Sequence, residues 1–108
     1  MPEIGSSLRV FAYDQITVAA SSTRLTLANV RGAASGSASP QPWAEKVIIT
    51  VETAQIRWRD DGTDPTSSVG HLANVGTIIT LDNRNRIDRF RAIRTGSTSA
   101  LLNVSYLG

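Results

Sequence analysis

The chain has 108 residues, carries eleven lysines and arginines against nine acids for a net charge of +2, and contains no cysteine. That length makes one small domain with little stability to spare. Near-balanced charge excludes a strong uniform field that would draw the chain to nucleic acid, and the lack of thiols excludes disulfides and thiolate metal sites.

From the first residue onward, Glu3 stands where a secretory leader would be basic and then apolar. No stretch approaches the roughly 20 apolar residues of a membrane helix. The expectation is a protein made in the cytoplasm with no membrane segment. Residues 1–7 read as a flexible N-terminal arm, and residues 8–108 as a single domain.

Short β-like runs bounded by Gly, Asn, Asp or Ser then recur, and no segment keeps a helical period. Strands are expected near Leu8 to Tyr13, Gln15 to Ala20, Arg24 to Val30, Lys46 to Glu52, Gln55 to Arg59, Thr77 to Leu81, Ile87 to Ile93 and Leu101 to Tyr106. This is an all-β chain, and its strands need two facing sheets or a closed barrel to bury their apolar sides. A β-sandwich or jelly-roll-like domain satisfies that need. Alternation turns Ile16 and Val18, Leu25 and Leu27, Val47, Ile49 and Val51, Ile56 and Trp58, Phe90 and Ala92, and Leu102, Val104 and Tyr106 inward. Val47-Ile48-Ile49 and Thr77 to Leu81 are apolar on both parities, as strands covered on both faces would be. A second subunit is one such cover. The small, turn-rich stretch Arg31 to Pro42 is expected to be a long flexible loop.

The most informative run is Arg57-Trp58-Arg59-Asp60-Asp61-Gly62-Thr63-Asp64-Pro65-Thr66, continued by Ser67 to His71. It predicts a strand ending in a tight polar turn, with Gly62 supplying a positive φ, and then a connection of fixed shape. Asp60, Asp61 and Asp64 lack the alternating ligands and final glutamate of a helix-loop-helix calcium loop, so they read as turn residues. His71 is the single histidine, and no nucleophile elbow or second ligand accompanies it. It is expected to be a structural residue at the start of a strand, held by a hydrogen bond. No catalytic residue, cofactor or metal is expected, and the chain reads as non-enzymatic.

Two features suit a binding surface. Arg84, Arg86, Arg89, Arg91 and Arg94 place five cations in eleven residues, with Phe90 turned inward and Arg89 and Arg91 turned out. An ion-paired or solvated face is the plainest reading, and an acidic protein surface is the next candidate partner, ahead of nucleic acid. Trp43, after Pro40-Gln41-Pro42, is a candidate interface anchor, or a stacking platform for a sugar together with Tyr13 and Phe11.

The order Arg57 to Thr66, Val69-Gly70-His71-Leu72, Gly76, Ile78 to Asp82, Ile87 to Ile93 and Leu101 to Tyr106 resembles small β-sandwich or jelly-roll virion proteins of tailed bacteriophages. The resemblance covers about the C-terminal half. It implies a capsid decoration or cement protein on the head surface that binds the major capsid protein and itself, as a homo-oligomer such as a trimer. Trp43 and the five arginines would then face the partner. A neck or tail component, such as a head-completion or baseplate-associated protein, and a carbohydrate-binding β-sandwich module are the alternatives. The Asp-Gly-x-x-Pro-Thr core is also similar to β-sandwich domains appended to chitinolytic enzymes, which usually carry tyrosine where Trp58 stands.

Overall fold

The computed structural model describes residues 8–31 and 43–108. The expected arm over residues 1–7 and most of the small-residue stretch, residues 32–42, lie outside the described residues. Within them the chain runs β1 Val10–Val18, β2 Thr23–Arg24, α1 Leu27–Val30, β3 Lys46–Glu52, β4 Ile56–Arg59, β5 His71–Ala73, β6 Ile78–Leu81, α2 Arg84–Arg89, β7 Arg91–Arg94 and β8 Ala100–Leu107.

The strands form two four-stranded sheets, ordered β1-β8-β3-β6 and β2-β7-β4-β5, and every pairing is antiparallel. First pairs with eighth, second with seventh, third with sixth and fourth with fifth. The chain is thus one long folded hairpin rolled on itself, and the rolling adds the β3–β8 and β4–β7 ladders. Only β4 and β5 follow each other within one sheet. The expected all-β, jelly-roll-like sandwich is what the chain forms.

Alternation explains most of the core. Val47, Ile49 and Val51 of β3 and Leu102, Val104 and Tyr106 of β8 are buried side by side, in one core with Ile56 and Ala92 of the second sheet and Phe90 at the end of α2. Hydrophobic burial at these positions is the main term holding the sheets together.

Three expectations need correction. The runs Leu8 to Tyr13 and Gln15 to Ala20 are one strand, bulged between Val10 and Ala12 and unbroken at Asp14. The run Arg24 to Val30 is a two-residue strand followed by a helical turn, so Leu25 is buried while Leu27 faces solvent. The run Ile87 to Ile93 is divided between α2 and β7, because Ile87 and Phe90, three apart, both bury from a helical turn. The strand expected to open at His71 is β5, a full member of the second sheet that pairs His71 with Trp58.

Candidate functional site

The turn after β4 builds a shallow cleft of about 320 Å³ lined by Arg59, Asp60, Asp61, Val69, Gly70 and His71. Its floor is formed locally. Gly62 has φ +84° and donates its N–H to the Arg89 carbonyl at 3.2 Å, as the Asp-Gly turn requires. The Asp61 carboxylate accepts the Thr63 N–H at 3.1 Å, and the Thr66 hydroxyl accepts the N–H groups of Ser68 and Val69 at 3.2 and 2.9 Å. These side-chain turns fix the connection with few apolar contacts. Gly70 closes it at φ +132°, where a Cβ would meet the Trp58 carbonyl oxygen at 3.0 Å. Arg57 reaches across and donates to the Gly70 carbonyl at 3.0 Å.

The polar groups around the cleft are engaged with one another. Arg59 forms a two-pronged pair with Asp61 at 3.1 and 2.6 Å, which holds the Asp61 carboxyl below its usual range. Asp60 accepts from Arg86 at 2.7 Å, and Asp64 lies 4.0 Å from Arg91. The three aspartates therefore point to three different arginines, and among the described residues no cluster of three potential metal ligands forms. His71 is exposed, with its ring 4.7 Å from that of Trp58, which in turn stacks on Phe90 at 5.7 Å. Ring packing, rather than the expected hydrogen bond, is what the described residues provide to His71.

The arginine series does not lie along one strand face. Arg84, Arg86 and Arg89 are on α2, while Arg91 and Arg94 are on β7. Arg84 pairs with Glu45 at 2.5 Å, and its guanidinium sits 5.6 Å over the ring of Trp43. Arg86 bridges Asp60 and Asp82, at 2.7 and 3.2 Å. Arg91 donates to the backbone carbonyls of Asp88 and Phe90, and Arg94 to the Ser99 hydroxyl at 3.3 Å. Among the described residues Arg89 forms no ion pair, and its methylenes lie over Gly62. Trp43 thus joins Arg84 and Glu45 at the entry to β3 and keeps 42% of its surface exposed.

A third surface is the outer face of the first sheet. Register places Tyr13, Gln15 and Thr17 of β1, Leu101, Asn103 and Ser105 of β8, Ile48 and Thr50 of β3, and Ile78 and Thr80 of β6 on that side. Lys46 and Glu52, at the two ends of β3, are its charged members. Tyr13 donates to Asn103 at 2.6 Å, and Asn103 donates to Glu52, which fixes the polar part of the face. Ile48 is 36% exposed and Ile78 65% exposed. The signal for this face was the apolar residues on both parities of β3 and β6.

No protein-family model, curated protein or solved structure matches the chain. The functional reading therefore rests on these three surfaces and on the residues that carry the phage resemblance.

Proposed function

We propose that this chain is a virion structural protein of the capsid-decoration kind, which acts by docking on an assembled shell and self-associating. The outer face of the first sheet carries the proposal. It is wide, nearly uncharged and armed with exposed Tyr13, Ile48 and Ile78. Such a face suits a dry contact with a coat subunit, and a lattice of identical sites lets each copy contribute modest area while the particle gains the sum. The rolled-hairpin topology supports the reading, since jelly rolls are a recurring architecture of capsid proteins, although they also serve lectins. The arginines support it less directly than the sequence suggested. Arg84, Arg86 and Arg91 have acidic partners within the chain, which leaves Arg89 and Arg94 as the cations with most freedom to meet coat carboxylates.

The test is co-sedimentation with heads of the parent particle across a salt series, comparing wild type with Ile48→Asp and Arg89→Ala. A docked, nearly uncharged face centred on Ile48 predicts that Ile48→Asp loses attachment while salt and Arg89→Ala change it little. Attachment abolished by salt and by Arg89→Ala would return the contact to the arginines. A chain that never sediments with heads, but binds isolated tails or a polysaccharide, would move the assignment to the neck-or-tail or carbohydrate-binding alternatives.

A further inference from the structure

The four outer strands of the two sheets are β1, β6, β2 and β5, and three of them carry a feature that discourages pairing with another chain. β1 is bulged near its start and carries Asp14 at its middle. β2 is two residues long and holds the ion-paired Arg24. β5 is three residues long. Natural sheets use such bulges, charges and short edges to avoid edge-to-edge association. β6, with Thr77 before it, reads Thr-Ile-Ile-Thr-Leu without charge, proline or bulge. The next residue, Asp82, has its charge taken up by Arg86 at 3.2 Å.

The ladder shows which backbone groups of β6 are open. Val51 donates to the Thr77 carbonyl at 3.0 Å, and the register runs through Ile49↔Ile79 and Val47↔Leu81. Antiparallel pairing alternates by two, so Ile79 and Leu81 turn their N–H and C=O groups to β3, while Thr77 turns only its carbonyl there and donates its N–H to the Asn74 carbonyl at 3.0 Å. Ile78 and Thr80 turn theirs outward, and among the described residues no strand takes them. The exposed Ile78 and Val75, at 65% and 58%, flank this edge.

We propose that β6 is the homotypic contact of this protein, pairing antiparallel with β6 of a second copy about a two-fold axis through Ile79. In that register Ile78 meets the partner's Thr80, and Thr80 meets the partner's Ile78. Each meeting exchanges two backbone hydrogen bonds, so the axis generates four in all. Ile79 lies against the partner's Ile79 on the inner side, closing the rim of each core where it is 5% exposed. The uncharged edge is self-complementary, as a two-fold interface must be. Two four-stranded sheets become one of eight, and their outer faces join into one docking surface twice as wide. This deepens the self-association in the proposed function and rests on that part of it. It names a two-fold pair where the sequence resemblance suggested a trimer.

The experiment is sedimentation equilibrium of the free chain over a concentration series, with no capsid present, on wild type, Thr80→Pro and Ile78→Lys. Thr80→Pro removes an outward N–H, which an edge strand tolerates. Ile78→Lys puts a charge at the edge without touching the backbone. The expected result is a mass of twice 11.6 kDa for wild type, with association weakened at least about tenfold in both variants and an unchanged far-ultraviolet spectrum. If Thr80→Pro fails to fold, Ile78→Lys decides the question alone. A wild-type chain monomeric at about 100 μM, a concentration that detects all but weak pairs, would overturn the proposal. So would an oligomer of any size that Ile78→Lys leaves intact. Failure here leaves attachment to a shell to be judged by the separate co-sedimentation test.

Discussion

Asp14 occupies an inward position on β1, opposite Val104, where alternation calls for an apolar side chain. Its carboxylate earns that place through three donors: the Thr26 hydroxyl at 2.6 Å, the Asn29 amide at 3.3 Å and the Tyr106 phenol at 3.1 Å. It ties β1, α1 and β8 together. Burial first, and the adjacent Asp14 charge second, push the Tyr106 hydroxyl well above its ordinary pKa, so it remains a donor throughout the usual range. Tyr106→Phe removes one donor and leaves Asp14 the other two. It should cost about 1 kcal/mol in urea unfolding, with no change of m-value. At Gly70, a side chain would meet both an unfavourable φ and the Trp58 carbonyl. Gly70→Ala should therefore cost about 2 kcal/mol or more, whereas Gly62→Val, with only ordinary contact to the Arg89 methylenes but φ +84°, should cost about 1 kcal/mol. Thermal unfolding of the pair checks the order. Equal midpoints for both variants and wild type would mean that the two glycine conformations are not required.

At the scale of elements, α2 begins at Asn83, whose side chain accepts the Arg86 N–H at 2.9 Å. It carries Asp88, which binds Arg31 at 2.9 and 3.2 Å and Arg24 at 3.3 Å. These contacts anchor α2 to the chain near α1. The Arg31 hydrogen bonds, working against burial, hold the Asp88 carboxyl below its usual range. A lowered folded-state pKa contributes stability that is present above the unfolded value, near ~3.9, and lost as pH falls through the folded value. Thermal midpoints should thus be level near neutrality and fall in that acid window. Asp88→Asn should lower stability by about 1 kcal/mol at neutral pH, discounted for partial exposure, and flatten the acid decline. A wild-type and variant difference that persists undiminished as pH falls well below the unfolded value would show that the carboxylate charge is not the cause.

These elements also show what can be read from a sequence. β3 and β8 announce themselves because Val47, Ile49 and Val51, and Leu102, Val104 and Tyr106, alternate without interruption between sheets. α1 and α2 are four and six residues long, too short for a 3.6-residue period to repeat, and Phe90 with Ala92 continues the alternation that α2 breaks. Asn83, three residues before Arg86, was the available cue for α2. The split of β1 was misread because Asp14 looks like a strand breaker until its three donors, two of them beyond the next turn and one at the far end of the chain, are seen. The Asp60 to His71 turn was legible because its side chains bond locally. The arginine series was not, since Arg84 finds Glu45 and Arg86 finds Asp60 across distances of 39 and 26 residues.

At the scale of the molecule, six of the seven steps between successive described strands cross from one sheet to the other, and among them only β4 to β5 stays within one. The outer face of the first sheet is thus assembled from β1, β3, β6 and β8, which are distributed along the entire described chain. No fragment presents the proposed docking surface by itself, so deletion of β8 should abolish folding, and with it any attachment through that face. The backbone of Arg9 and Gly108 is bonded in both directions, at 3.3 and 3.0 Å, at the far end of the β1–β8 ladder.

That ladder bears on how the protein comes to exist. During synthesis β1 leaves the ribosome before the other described strands, and among the described residues it has no neighbour in its own sheet until β8 follows, since β8 is the strand that pairs with it. Closing a loop of that length precedes most of the stabilising contacts, so folding should be slow, in the range of milliseconds to seconds for such topologies. Stopped-flow refolding of the full chain measures this directly, and a relaxation within ~100 microseconds, as helical bundles show, would contradict it. In the waiting interval the unblunted β6 edge is already made while its sheet is incomplete. The same strand that would join two finished copies can then join two unfinished ones, so yield in a cell should fall as expression rate rises.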